Sequence, residues 1–473
     1  MEMTNKQKTI ASITTPLGEG GIGKIIVSGP DALSIVNKMF QGKGIADLRE
    51  TISQKLYYGY VHDKGERIDE VILHVVRQED SFTGEDVVEV NCHGGIRVLM
   101  SVYECLQSAG AVGVDWGSLL SQSFENDKID FIQKEALLAV VQARTKLAVK
   151  VLLDQYAGAL SEAIRRGLEI IEEIRQPFSK EEFCHKNVVI LPHPNPPPSR
   201  GGRGRNGLLH SMSASVSALS DLIAGLLETA PFGMALTTPR VLVILGKPNV
   251  GKSTIINAIL GEDQMIVHHE PGTTRDYASE FISIDGIPFE LVDTAGMRNT
   301  SDKLEAMSIE MTQEQLRRAD KVMVVFDSSR DFDQEDENIL SALNLWSKAK
   351  NAGDLQQRAT AHAVVPVINK CDLPAKLDRL RIESALYQPV CNISALNKDG
   401  FETLNRRFVQ ELDTAYKPMR AVVFNKRLYQ LLAKAACLVK QKKDCFTAKN
   451  KISETLRVFD EVKDIFIACL KGS

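Results

Sequence analysis

The residues Gly246-Lys-Pro-Asn-Val-Gly-Lys-Ser253 fit the spacing G-x-x-x-x-G-K-S/T. An apolar run, Val241 to Leu245, precedes them and an amphipathic pattern, Ser253 to Leu260, follows, so a glycine-rich loop should join a buried strand to a helix. Glycines there let backbone N–H groups close on phosphate oxygens, and the helix N-terminus adds partial positive charge. In that geometry Lys252 reaches the outer phosphates of a nucleotide and the Ser253 hydroxyl ligates magnesium.

Four later segments decide which nucleotide it is. Pro271-Gly-Thr-Thr-Arg-Asp276 offers Thr274 to the metal and the γ-phosphate. Leu291-Val-Asp-Thr-Ala-Gly296 reads as a buried strand ending in Asp293, suited to the magnesium shell, with Gly296 free to approach the γ-phosphate. Val367-Ile-Asn-Lys-Cys-Asp372 ends another strand with a carboxylate, which can accept hydrogen bonds from the N1–H and the 2-amino group of guanine. Adenine has no such pair of donors, so discrimination is strong. Asn392-Ile-Ser-Ala-Leu396 completes the base pocket with Ser394 and Ala395. In this order the strings predict a magnesium-dependent GTPase.

The elements around these loops fall into zones. Up to about Gly117, strand-like runs (KIIVSG, EVILHVV, DVVEVN) alternate with short helical patterns, as in an α/β or α+β domain. From Lys134 to Glu173, Ala and Leu recur at helical spacing with no proline, which predicts long helices. Pro192 to Gly207 interrupts this, because proline forbids helix and nothing apolar is there to bury. Helical pattern resumes at about Leu208, the GTPase unit spans about Arg240 to Leu412, and helices over Phe424 to Lys443 and Lys451 to Leu470 end the chain. The expected fold is multidomain: an N-terminal α/β domain over 1–118, helical parts over 119–236 and 413–473, and between them a Ras-like P-loop GTPase over 237–412. The two helical parts must meet to bury their apolar faces.

The chain has 473 residues, enough for two or three domains, and a formal charge of −4, which gives no sign of a polybasic nucleic-acid binder. Its eight cysteines lack paired CxxC spacing and read as reduced thiols. No signal-peptide core and no run of eighteen apolar residues is present, so the expectation is a soluble cytoplasmic protein without membrane association.

The strings TIASITTPLGEGGIGKIIVSGPDA and SFTGEDVVEVNCHGG, the Ala/Leu helices, the inserted GTPase and a cysteine near the C-terminus resemble the MnmE (TrmE) family of tRNA-modification GTPases. The resemblance implies a folate-binding, dimerising N-terminal domain. It implies joint action with an MnmG-like flavoprotein at C5 of the wobble uridine of certain tRNAs, with 5-formyl- or 5,10-methylene-tetrahydrofolate supplying the carbon. It places the folate contacts at Glu89, Lys128 and Lys471, with Lys24 standing in for the family's arginine, whose position is Ile26 here. The family's GEFTKRAFLNGK has become GSLLSQSFENDK, and its FCIGK ending has become ACLKGS around Cys469. The implied GTP contacts are Asn249, Val250, Gly251, Lys252, Ser253, Thr254, His268, Thr273, Thr274, Asp293, Thr294, Ala295, Gly296, Asn369, Lys370, Asp372, Ser394, Ala395 and Leu396, with magnesium on Ser253 and Thr274.

Many small GTPases orient water with a Gln after the DxxG glycine; here that residue is Met297, whose thioether cannot do so. Glu305 lies where the resembling family has its catalytic glutamate, twelve residues after Asp293. Charge on the β–γ bridge can be offset by potassium held by Asn249, with the loop at His268, Glu270 and Thr273 completing the shell. Arg200, Arg203 and Arg205 read as linker, Cys469 as a packing residue, and His268 to Glu270 as loop rather than a metal centre. Two other function classes remain open. One is a ribosome-assembly GTPase, although neither a second G domain nor a KH module is visible. The other is a degraded relative acting as a nucleotide-controlled interaction module.

Overall fold

In the computed structural model, residues 8–176, 202–260, 280–292, 316–353, 363–442 and 452–472 are described. They fall into two units, 1–138 with 468–473, and 139–467.

Period-two alternation builds the sheet of the first unit. Its strands are β1 (Ile10–Ile13), β2 (Ile22–Ser28), β3 (Phe40–Gly42), β4 (Lys55–Asp63), β5 (Glu66–Val76), β6 (Val87–His93) and β7 (Val112–Gly113), in the order β3-β4-β5-β6-β2-β1-β7. All neighbours are antiparallel except β1 and β7. One face is the core: Ile25, Val27, Val71, Leu73, Val75, Val88 and Val90 meet the apolar stripes of α1 (Ala32–Asn37) and α2 (Ile96–Ala109). The other face is only partly covered. At one end α3 (Trp116–Glu125) covers it, its Leu119 joining Ile10, Ile26 and Val87 in a small apolar cluster. Towards β4 and β5 the same face leaves Leu56, Tyr58 and Ile72 exposed.

The predicted long helices over Lys134 to Glu173 are three: α4 (Phe131–Gln142), α5 (Lys146–Tyr156) and α6 (Ala159–Arg175). The breaks have local causes. The Thr145 hydroxyl accepts from Ala148 N at 3.1 Å and so caps α5, and Gly158, at φ 108°, turns the chain into α6. Helix α7 (Gly202–Thr237) starts about six residues earlier than expected, inside the Gly- and Arg-rich stretch. No proline follows Pro198 before the apolar pattern, and glycine costs a helix only about 1 kcal/mol relative to alanine. The segment Met212–Thr237 is long and apolar enough to cross a membrane by composition, but half of it is buried in the unit. It packs against α6 and against α12 (Lys426–Lys442), so the helical segments on either side of the nucleotide domain do meet. α13 (Ile452–Lys471) completes this layer, and Gly167 of α6 leaves room for the Phe466 ring.

The nucleotide domain is a doubly wound sheet of order β13-β12-β11-β8-β10-β9. The strands are β8 (Arg240–Leu245), β9 (Glu280–Ile284), β10 (Ile287–Leu291), β11 (Lys321–Asp327), β12 (Val364–Asn369) and β13 (Cys391–Asn392), parallel except at edge strand β9. Continuous apolar runs such as Val322 to Phe326 are buried on both faces, as parallel strands require. One face packs on α8 (Lys252–Leu260) and α11 (Phe401–Val409), the other on α9 (Gln334–Gly353) and α10 (Arg379–Leu386). The return from this domain is anchored by the buried Gln155 amide, which donates to Arg420 O at 3.0 Å and accepts from Val422 N at 3.0 Å.

Candidate nucleotide-binding site

A doubly wound sheet offers its ligand crevice at the carboxyl ends of its strands. There the loop after β8 meets the loops after β12 and β13. Two positions in the phosphate loop require glycine. Gly246 has φ 150°, and a Cβ on it would lie 2.5 Å from Val325 O. Gly251 has φ 97°, and a Cβ would lie 2.3 Å from the Asn369 amide nitrogen. Asn249 also has positive φ, 64°, which asparagine tolerates better than most residues.

Three tethers hold this loop. Lys247, buried, places Nζ 2.8 Å from Asp333 and 2.7 Å from Asp336 at the start of α9. Burial pushes that ammonium's pKa down, but the two carboxylates outweigh it and the net direction is up. Asn369 donates its amide to Val250 O at 2.9 Å and accepts from Ala395 N at 3.0 Å, joining the phosphate loop to both base loops. Lys370 donates to Asn249 O at 2.8 Å and to the buried Asp327 carboxylate at 2.6 Å. Burial pushes the Asp327 pKa up, yet Lys370 and Ser329 hold it below the ordinary aspartate value. A lowered carboxylate pKa stabilises the fold above the unfolded value, and this contribution is lost as pH falls through the lowered one.

Lys252 donates to the carbonyls of Gly246 and Lys247, each at 2.8 Å, and burial lowers its pKa. An ammonium desolvated against neutral carbonyls is a strong attractor for a polyanion. Ser253 and Thr254 are exposed at the first turn of α8, where a hydroxyl can reach a metal shared with phosphate. At the predicted base-reading loops the Ser394 hydroxyl donates to Asp372 Oδ1 at 2.6 Å, and Asn397 N donates back to Ser394 Oγ at 3.2 Å. Leu396 stands 79% exposed beside them, an apolar surface for a purine face.

The structure thus brings together Asn249, Val250, Gly251, Lys252, Asn369, Lys370, Asp372, Ser394 and Ala395. His268, Glu270, Thr273, Thr274, Asp293, Thr294, Ala295, Gly296, Met297 and Glu305 lie outside the described residues. Sequence reading missed Lys247, Asp333, Asp336 and Asp327. For Asp327 a partial signal existed, an aspartate ending a buried strand; its register with Asn369 is visible only in the structure.

The first unit holds a second polar constellation, on the half-covered face. Lys24 and Ile26 share that face, as alternation requires, and Ile26 is buried in the cluster under α3. Lys24 Nζ lies 2.8 Å from Glu89, which also meets His74 at 3.3 Å. Lys128 donates to Glu79 O at 3.5 Å beside a pocket of about 440 Å³ lined also by Gln78, Gly84 and Asn126. Lys471 is exposed at the end of α13, next to the buried Cys469, and Gly472 abuts the Phe131 ring. No described contact joins Lys128 or Lys471 to the Lys24–Glu89 pair. Buried polar atoms with no hydrogen-bond partner among the described residues include Ser12 Oγ on β1 and, on α3, Trp116 Nε1, both amide atoms of Gln122 and Ser123 Oγ. Ser12 stands directly across from Ile26 in the sheet, and Trp116 packs on the same cluster.

Comparison with known proteins covers both units. Residues 9–128 match the family described as GTP-binding protein TrmE N-terminus. Residues 241–370 match the family described as 50S ribosome-binding GTPase. The tRNA modification GTPase MnmE of Lactobacillus delbrueckii subsp. bulgaricus is 33% identical over 437 residues, covering 90% of this chain and 86% of that one. The protein of the same name from Geobacillus kaustophilus is 34% identical over 402 residues, covering 84% of this chain and 80% of that one. The solved G domain of the T. maritima FeoB iron transporter is 24% identical over 36% of this chain and 98% of its own, with a TM-score of 0.26.

Proposed function

We propose, from the premise that the chain belongs to the family of tRNA modification GTPases MnmE, that it couples GTP hydrolysis to modification of C5 of the wobble uridine of certain tRNAs. The chain is a GTP hydrolase; the tRNA position, the partner and the cofactors below are our reading. The observation that carries the tRNA part is the similarity to tRNA modification relatives over 90% of the chain; the one that carries the GTP part is the tether of Asn369 and Lys370 to the phosphate loop, which would present a guanine-reading carboxylate and a phosphate-binding lysine as one surface. A ribosome-assembly role is less well supported, because the similarity to tRNA modification relatives extends over 90% of the chain and not over the G domain alone.

Magnesium would be held by Ser253 and Thr274 and would neutralise charge on the β- and γ-phosphates. Potassium would be held by Asn249, with His268, Glu270 and Thr273 completing its shell. The left-handed backbone of Asn249 is fixed by Lys370, so its side chain is available as a fixed oxygen donor.

For reduced folate, the half-covered sheet face fits. The 2-amino-4-oxo edge of a pterin presents the same paired N–H donors as the 2-amino-6-oxo edge of guanine, and Glu89 is a carboxylate able to read it. The unpartnered atoms of Ser12, Trp116, Gln122 and Ser123 are neutral donors and acceptors, suited to a heterocycle's edge rather than to an anion. Lys24, Lys128 and Lys471 supply positive charge for the glutamate tail. When bound, folate would supply the one-carbon unit; this chain's residues would orient it and keep water away. The exposed Leu56, Tyr58 and Ile72 flank this cluster, and an apolar face of that kind is what a second copy of the chain would cover in a homodimer. We place the reaction in the cytoplasm, with an MnmG-like flavoprotein as partner.

Reconstitution with that flavoprotein, tRNA, GTP and a reduced folate tests the function. Mass spectrometry of digested tRNA should show a C5-substituted uridine only when all are present. Unmodified uridine throughout would overturn the reading.

A single variant tests the folate and dimer parts together. Ile72→Glu puts a charge on a half-exposed position, so the monomer should fold normally. In an isologous interface each side chain is lost twice, at roughly 1.5–3 kcal/mol each, so the dimer should weaken by more than about a hundredfold. Light scattering should show dimer for wild type and monomer for Ile72→Glu, and calorimetry with 5-formyl-tetrahydrofolate should lose its heat in the variant. Wild type that stays monomeric with or without nucleotide would end the dimer reading. Wild type giving no heat at high micromolar concentration would remove folate.

A further inference from the structure

We propose that Asp327 is a positioning residue of the nucleotide site, acting through Lys370 to lock the base-reading loop onto the phosphate loop so that GTP and GDP leave more slowly than they would without it. The proposal rests on the GTP-site reading above. Asp327 ends β11, and its carboxylate is 1% exposed. Oδ1 accepts from Ser329 N at 2.9 Å and from Ser329 Oγ at 2.7 Å, while Oδ2 takes Lys370 Nζ at 2.6 Å, with Arg330 Nε at 3.6 Å. Buried carboxylates persist only when paired in this way. An ammonium has three protons, and Lys370 gives one to Asp327 and one to Asn249 O, which leaves the third for nucleotide.

The consequence lies in what the two loops hold. The phosphate loop carries Lys252 and Ser253; the segment that begins at Lys370 ends in Asp372. Asn249 sits at φ 64°, a conformation that residues other than glycine adopt at a cost, and the bond from Lys370 to its carbonyl offsets that cost. A long lysine side chain has many rotamers, and the buried carboxylate selects one. Without the charge on Asp327, Lys370 gains freedom to leave Asn249, and the base loop can open while phosphates stay bound. Lys247 and Asn369 still hold the phosphate loop, so the fold should survive.

The test uses the full-length chain and stopped-flow displacement of N-methylanthraniloyl-GDP by excess GDP. Asp327→Asn is nearly isosteric, and its labelled GDP should dissociate about tenfold faster, the scale of one lost charge-assisted bond. Association should change by less than about twofold. Lys370→Met should accelerate dissociation as well. Because Asp327 is argued to act through that lysine, the double variant should release GDP no faster than Lys370→Met alone. A folded Asp327→Asn protein with wild-type dissociation, or additive effects in the double variant, would overturn the proposal. Should Asp327→Asn fail to fold by circular dichroism, Ser329→Ala keeps the carboxylate but removes one bond that aims it. It should speed release roughly two- to threefold, and not at all beside Lys370→Met; no acceleration there overturns the proposal equally. Wild-type protein that failed to retain labelled GDP would strike down the nucleotide-site reading itself, and the proposal with it.

Discussion

Asp372→Ala is expected to weaken GTP binding by about 10²–10⁴-fold and to remove the preference over ATP, with the fold intact. Two hydrogen bonds to a charged acceptor contribute about 1.5–3 kcal/mol each, so their loss is worth about 3–6 kcal/mol, and every 1.4 kcal/mol is tenfold. The carboxylate is exposed at the loop tip, so alanine leaves no buried cavity. Its direction is set by the Ser394 hydroxyl at 2.6 Å, itself held by Asn397 N. ATP makes neither bond with Asp372, so its weak affinity should stay where it is, and the GTP-to-ATP ratio should collapse through the GTP term alone. Competition against a fluorescent guanine nucleotide, read with both competitors, measures this directly. A ratio that survives the substitution would mean that another group reads the base.

That site was legible because its chemistry is written in contiguous strings at strand ends. Gly251-Lys-Ser253 and Asn369-Lys-Cys-Asp372 each carry their geometry within a few residues, and the buried apolar run before each says where the loop begins. The tethers were not legible, because they join distant positions: Asp327 to Lys370 spans 43 residues, and Lys247 to Asp333 spans 86. Only the parallel register of β11 beside β12 puts Asp327 and Asn369 side by side. In the first unit, β7 has two residues, too few for any period to be read, and β5 carries Val71, Ile72 and Leu73 in succession. Such a run reads as a strand buried on both faces, yet Ile72 is 47% exposed. The sequence encodes burial that this single chain does not supply, and on that mismatch rests our proposal of a second copy. The helical stretch after Lys134 shows the opposite limit. Its periodicity is continuous, but one capping threonine and one left-handed glycine cut it into three.

The largest effect on turnover is expected for Glu305→Ala: a fall of about 10²–10⁴ in kcat, the usual worth of a positioned general base, with GTP binding retained. Glu305 lies outside the described residues. Hydrolysis needs a group to orient the attacking water and a positive charge near the β–γ bridge. Met297, in the place where many small GTPases carry glutamine, has neither a donor nor a basic acceptor. Glu305 is the carboxylate at the family's spacing from Asp293, and a carboxylate can do both parts of the water's work. In our proposal the charge is supplied by potassium on Asn249, whose backbone Lys370 fixes in the described structure. Sodium, being smaller, would fit an oxygen shell of that size poorly, so wild-type turnover should be markedly faster in potassium than in sodium. The two roles separate kinetically. Asn249→Ala should flatten the cation dependence while leaving a slow basal rate, whereas Glu305→Ala should lower turnover in both salts with little change in GTP affinity. Equal wild-type rates in the two cations would remove potassium from the mechanism, and an unimpaired Glu305→Ala enzyme would transfer the water-orienting role to another residue.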